Sequence, residues 1–261
     1  MHRQRPIAAV LLVLAALAGT HAASLSPSSD IQPYISGGTL SNNGRLRYVV
    51  EIIKAVKTGD LFKEHLGEGA LLTTDWVLTT AAAAPDLSWA ESLLKHVLVV
   101  VGRADGSDGV DVEIDDKKSV VEPNNKILKL LKLKEPVVLG ALIKPANLPS
   151  FATDSTGLGA ILAGWGKDRK ALNAVDVKVF SKEQCTADGV TVADDEICTS
   201  AEGNACKGDD GAPLAIDRNT GAFRLVGLAT GADKQSDKCD QRSVYVNVAK
   251  YTKWLLTEMY P

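Results

Sequence analysis

Cys206-Lys-Gly-Asp-Asp-Gly-Ala-Pro-Leu214 is the stretch on which the fold turns. Two glycines and two adjacent aspartates make a tight polar loop between a cysteine and an apolar run. That run, Pro213–Ile216, reads as a short strand, and it is one of many. Working outward, Tyr48–Ala55, Val77–Ala82, Val97–Val101, Val110–Ile114, Ala160–Trp165, Val175–Phe180, Leu225–Ala229 and Val244–Val248 are apolar or alternating runs. Clusters of Gly, Asn and Asp separate many of them. Short strands at such spacing predict a sandwich or barrel. The end of the chain differs: Ala249–Met259 places Trp254, Leu255 and Met259 on one helical face, which predicts a terminal helix. Lys126–Lys134 fits either an amphipathic helix with a lysine face or a buried strand with solvated lysine ends. Pro123 and Pro136 limit it to strand length, so a strand is expected.

The chain has 261 residues and 45% hydrophobic content, enough for one two-barrel domain or two small domains. Its formal net charge of −3 gives no basic surface for nucleic acid. Residues 1–22 read as a secretory signal. Arg3 and Arg5 precede the apolar run Ile7–Leu17, and Thr20-His21-Ala22 supplies small residues for cleavage. The run is too short to span a bilayer, so no membrane span is expected. Residues 23–34 read as a short propeptide or arm, and the folded domain is expected over 35–261. A secretory route is oxidising, so the four cysteines Cys185, Cys198, Cys206 and Cys239 are expected in pairs. Their spacings are far wider than the close pairs of a structural zinc site. No Asn-X-Ser/Thr acceptor for glycosylation is present.

The opening stretch resembles the nucleophile loop C-x-G-D-S-G-G-P-L of the trypsin-like serine proteases. Ile35-Ser-Gly-Gly38 resembles their mature start I-V-G-G. Gly69-Ala-Leu-Leu-Thr-Thr-Asp-Trp-Val-Leu-Thr79 resembles G-S-L-I-x-x-x-W-V-L-T. Ala163-Gly-Trp-Gly166 is similar to S-G-W-G, and Val244-Tyr-Val-Asn-Val248 to V-Y-T-x-V. Order and spacing agree over Ile35–Pro261. The resemblance implies an all-β fold of two packed six-stranded Greek-key β-barrels with a C-terminal α-helix. It also implies the disulfides Cys185–Cys198 and Cys206–Cys239.

Peptide cleavage in that family needs a serine, a histidine that activates it and an aspartate that orients the histidine. The motif W-V-x-T/S-A-A-H-C here reads Trp76-Val-Leu-Thr-Thr-Ala-Ala-Ala83, so Ala82 stands at the histidine position. Ala83 and Gly67 stand where the family places a disulfide. Counting back from Leu133 puts Ile127 at the aspartate position, or Lys126 if one residue is inserted. Asp210 stands at the serine position. No catalytic residue is therefore assigned. Past the signal, the histidines are His65 and His96. The resemblance gives His65 a structural role, and His96 lies in a polar segment. Gly208, Asp209 and Asp210 make the loop that resembles the oxyanion loop. Asn204 stands at the base of the specificity pocket. Ala229-Thr-Gly231 replaces the cleft wall S-W-G. Asp209 in active relatives pairs with the amino group freed before I-V-G-G. Here Tyr34 precedes Ile35, and no Lys or Arg lies between Ala23 and Gly44. Ile35 is thus expected to stay unfreed and Asp209 to find another partner or water. Adjacent acids at 209 and 210 are expected to raise at least one carboxyl pKa.

The function expected is that of a secreted non-catalytic serine protease homologue that binds proteins. Such homologues regulate or assist extracellular protease cascades, so a protease or protease inhibitor is the expected partner. The alternative is an inhibitor or decoy that blocks a host's secreted hydrolase, similar to the oomycete glucanase inhibitor proteins. Acids from Asp105 to Asp116 match a loop that binds calcium in some relatives. Acidic loops are more often simply solvated, and neither a metal nor another cofactor is assigned.

Overall fold

The computed structural model describes residues 35–41, 44–58, 62–103, 108–124, 126–166, 171–230 and 243–261. The expected signal and arm, Tyr34, Asp105, Gly231 and Cys239 lie outside them. In chain order the elements are β1 (Thr39–Leu40), β2 (Val49–Val56), β3 (Lys63–Leu71), β4 (Trp76–Thr80), α1 (Trp89–Leu94), β5 (Lys95–Val101), β6 (Val110–Glu113), β7 (Val120–Val121) and β8 (Leu128–Lys132). There follow β9 (Gly159–Gly164), β10 (Asn173–Lys178), α2 (Lys182–Ala187), β11 (Glu196–Cys198), β12 (Pro213–Asp217), β13 (Phe223–Ala229), β14 (Val244–Asn247), a 3-10 turn (Val248–Tyr251) and α3 (Thr252–Met259).

These strands form two antiparallel sheets. The first runs β6-β5-β2-β3-β4-β8-β7 and the second β1-β10-β9-β12-β13-β14-β11. Each has six strands plus a two-residue edge, β7 or β1. Both sheets curl until their edges meet. Ile114 bridges Leu133, and Asp115 N–H donates to Lys132 O at 2.8 Å, which joins the far end of β6 to β8. Val179 bridges Thr199, and Phe180 N–H donates to Cys198 O at 3.0 Å, which joins β10 to β11. Closure removes the open strand edges that would otherwise invite aggregation. The result is the expected pair of barrels with a terminal helix.

Side-chain alternation explains why the barrels also pack on each other. Val50 and Ile52 of β2 and Leu131 of β8 belong to the first barrel's own cluster. Leu162 of β9, Leu214 of β12 and Tyr245 of β14 belong to the second's. The opposite face of the same strands forms a third, shared cluster. It joins Val49, Leu78, Leu128 and Leu130 to Ile161, Leu225, Leu228 and Val246, with Leu255 and Met259 of α3 beneath. The Cys185–Cys198 disulfide ties α2 to β11.

Two sequence expectations are corrected here. Residues 128–132 are a strand, but Lys129 is not a solvated end. It is buried, donates to Ala84 O at 2.8 Å and pairs with Asp86 at 2.6 Å. His96 lies in β5, opposite Ala55 of β2, and is half-buried rather than on a polar surface segment. The long strand β3 was not legible as a strand, because Glu64, His65 and Glu68 break its alternation. No helix among the described residues is long and apolar enough to cross a membrane.

Candidate functional site

The positions singled out by sequence converge where β3, β4 and β8 of the first barrel meet the 204–211 loop of the second. Ala82 sits on the turn that ends β4. Ala83 N–H donates to Thr80 Oγ1 at 3.2 Å, which closes that turn, and Ala82 itself is exposed. Ala81 N–H donates to Ile127 O at 2.7 Å, so the turn lies against the residue expected at the aspartate position. Ile127 packs its side chain on the cluster shared by the barrels. Lys126 beside it is exposed and takes a left-handed φ of 59°.

Asp210 is held to β3 through its backbone. Its carbonyl accepts Glu68 N–H at 2.8 Å. Gly67 and Gly211 permit this approach. A Cβ on Gly67 would lie 2.3 Å from Asp210 O and 2.7 Å from the Cβ of Ala83, and one on Gly211 would lie 2.2 Å from Glu68 O. Gly67 and Ala83 are thus side by side, as expected for two positions that carry a disulfide in the family. The loop folds back on itself: Asp209 N–H donates to Cys206 O at 3.0 Å, and Cys206 N–H to Asp209 Oδ2 at 2.8 Å. Gly211 N–H donates to Ala229 O at 2.8 Å, which fixes the loop to β13.

His65 is the nearby imidazole, and it is fully committed. Its Nδ1 meets Glu51 Oε1 at 2.9 Å and its Nε2 meets Gly208 O at 2.8 Å. Both partners only accept, so both ring nitrogens carry protons and the ring is an imidazolium. Burial alone would lower its pKa, but the hydrogen bonds to Glu51 and Glu68 outweigh burial and raise it to about 10. Glu51 also pairs with Arg103, whose guanidinium lies 5.9 Å from the Trp165 ring centre.

Asp209 is buried, and its pKa is raised well above the ordinary value, by burial first and by the charge of Glu68 second. The raised carboxyl expected in this loop is therefore Asp209, and the charge that raises it most is that of Glu68. Sequence reading missed Glu68, Glu51 and Arg103. One signal was present: with Gly67 at the cysteine position of C-G-G-S-L, Glu68 stands where that motif has glycine.

The remaining expected positions are dispersed or internal. Asn204 is buried; it exchanges backbone hydrogen bonds with Ser36 at 3.0 and 3.3 Å, and its Oδ1 accepts Ser243 N–H at 3.2 Å. Its amide oxygen is thus turned to the protein's own backbone. Ile35 is fully buried in the second barrel's cluster. Cys206 is disulfide-bonded, and its expected partner Cys239 lies outside the described residues. In the acidic loop, Asp111 pairs with Lys63 at 2.6 Å, and Asp115 accepts Lys117 N–H at 3.2 Å. No group of three or more His, Cys, Asp or Glu among the described residues is placed to hold a metal ion.

A family model for trypsin matches residues 35–255. The chain belongs to the trypsin family. Among its relatives, human kallikrein-8 is 29% identical over 72% of this chain and 74% of its own length. The venom peptide isomerase heavy chain of Agelenopsis aperta is 27% identical over 86% of this chain and all of its own length. The Drosophila melanogaster serine proteinase stubble is 25% identical over 85% of this chain, which spans only 30% of stubble. Within the matched stretch, residues 82, 127 and 210 are alanine, isoleucine and aspartate.

Proposed function

We propose that this chain is a secreted, non-catalytic serine protease homologue that acts by binding proteins, as a regulator or cofactor of extracellular protease cascades. The observation that carries the reading is the state of His65. The imidazole beside the 208–210 loop is an imidazolium bound at both nitrogens, and a general base needs a free one. Ala82 brings no base to Asp210, and Ile127 no carboxylate to orient one. Binding surface is available nearby. Helix α1, which follows the Ala82 turn, buries none of its residues and leaves Trp89, Leu93 and Leu94 exposed. Tryptophan is among the residues enriched in interface hot spots.

The test is a fluorophosphonate probe, which labels an activated nucleophile covalently. No specific labelling is expected, either before or after limited proteolysis, and clear labelling overturns the reading. The relative named venom peptide isomerase heavy chain makes peptide isomerisation the enzymatic alternative. Moving a proton off and back onto a peptide carbon needs groups that accept and donate it. Asp210 supplies one carboxylate and Ala82 none, so a peptide incubated with the protein should keep its configuration in chiral chromatography.

A further inference from the structure

A cluster of charges lies sealed between the two barrels and has no part in the binding role proposed above. It holds three carboxylates, Glu51 on β2, Glu68 on β3 and Asp209 in the loop, all with no solvent exposure. Two cations face them, the His65 imidazolium on β3 and the Arg103 guanidinium after β5. Among the described residues both cations pair with Glu51, and His65 reaches Glu68 only at 3.5 Å. Tyr245 of β14 also faces Asp209, with its hydroxyl pushed up to about 12 by burial, so it brings no charge. Asp210 lies next in the loop and is half-buried. Among the described residues, with every other group ionised, the three sealed carboxylates exceed the two cations by one.

Glu68 and Asp209 come together at Gly164 of β9. A Cβ on that glycine would lie 2.8 Å from Asp209 Oδ1 and 3.1 Å from Glu68 Oε1. Glu68 Oε1 accepts Trp165 N–H at 2.9 Å and Gly166 N–H at 3.2 Å, and Asp209 Oδ2 accepts Cys206 N–H. The other oxygen of each, Glu68 Oε2 and Asp209 Oδ1, is buried with no hydrogen-bond partner among the described residues. A sealed surplus charge with orphaned acceptors is resolved by taking up a proton, which removes the charge and turns one acceptor into a donor.

We propose that Glu68 and Asp209 are a proton-holding acid pair that fastens the 206–211 loop to the first barrel, and that loss of the shared proton to water loosens the loop. The fastening points are adjacent to the pair. Glu68 N–H donates to Asp210 O, and His65 Nε2–H to Gly208 O. Two like charges at that seam repel across it, so the loop is tighter in acid than in alkali. Both carboxyls have folded pKa values above their ordinary ones, so their contribution to stability is full below the ordinary carboxyl range. It is lost as pH rises through the folded values.

Amide hydrogen exchange of residues 208–212 in the purified full chain, corrected for intrinsic rates, tests this between pH 5.5 and 8.5. Wild-type protection should fall about tenfold across that range, and Glu68→Gln should stay flat while keeping the Oε1 acceptor. Parallel curves for the two proteins overturn the proposal. Asp209→Asn repeats the test should Glu68→Gln fold poorly. Infrared spectra of the wild type give a reading free of mutation: a buried protonated carboxyl at pH 5.5 that is lost by pH 8.5 supports the pair, and its absence at pH 5.5 refutes it. None of these readouts involves a partner or a substrate, so failure here leaves the binding role standing, and probe labelling would leave the acid pair standing.

Discussion

His65 shows how one residue serves the fold in this chain. Its two nitrogens bridge β2 to the loop of the second barrel, through Glu51 on one side and Gly208 O on the other. His65→Ala takes one cation from the fully buried Glu51 and strips the donor from Gly208 O. The cost should be about 3–5 kcal/mol, the range for breaking one arm of a buried pair. The sign of its pH dependence follows from a raised folded pKa. The stabilisation is full below the ordinary 6.5 and is lost as pH rises through about 10. Denaturant melts of wild type and His65→Ala should therefore differ most at pH 6 and converge above pH 10. A constant difference would mean that the ring acts only by packing.

At the scale of elements, contrasting predictions follow for α1 and for the seam between β3 and the loop. Helix α1 has a full capping box: Ser88 Oγ accepts Glu91 N–H at 3.3 Å, and Glu91 reaches back to Ser88 N–H at 3.2 Å. Such a cap is worth about 1 kcal/mol to the helix, yet α1 buries nothing. Ser88→Ala should thus speed hydrogen exchange over residues 89–94 and leave the global unfolding midpoint almost unchanged. Gly67→Ala should behave in the opposite way. Its new Cβ falls 2.3 Å from the backbone oxygen of Asp210, and neither backbone can step aside alone. A loss of about 1–3 kcal/mol is expected, typical of overpacking, and is measurable as a lower denaturant midpoint. A neutral Gly67→Ala would show that the loop is not seated on β3.

For the whole molecule, the cluster shared by the barrels decides cooperativity. Leu228 of β13 is fully buried there, with Leu78 and Leu128 from the other sheet in the same cluster. Leu228→Ala should cost about 2–5 kcal/mol. The loss should reach both barrels together, so Trp76 in the first and Trp254 on α3 report one midpoint by fluorescence. Separate midpoints would mean that each barrel's own cluster suffices to hold it.

Ten of the fourteen described strands were legible in the sequence, because each is an apolar or alternating run bounded by polar or turn residues, and that is a local property. The terminal helix was legible too: Leu255 and Met259 are buried four residues apart, as a helix period requires. So were the Cys185–Cys198 pair and the family, through motifs spread over strands and loops in a fixed order. Strand β3 was hidden because it carries His65 and Glu68, whose hydrogen bonds to Gly208 O and to the Trp165 and Gly166 N–H groups form only once the second barrel arrives. Capped α1 and α2 were too short and too exposed to show a period. The identities of residues 82, 127 and 210 could be read directly. What only the tertiary structure decided is the burial of Glu51, Glu68 and Asp209 in one seam, from residues up to 158 positions apart. A carboxylate's charge is a matter of its surroundings. The chain states which acids it has, and the packing of one barrel on the other decides which of them must share a proton.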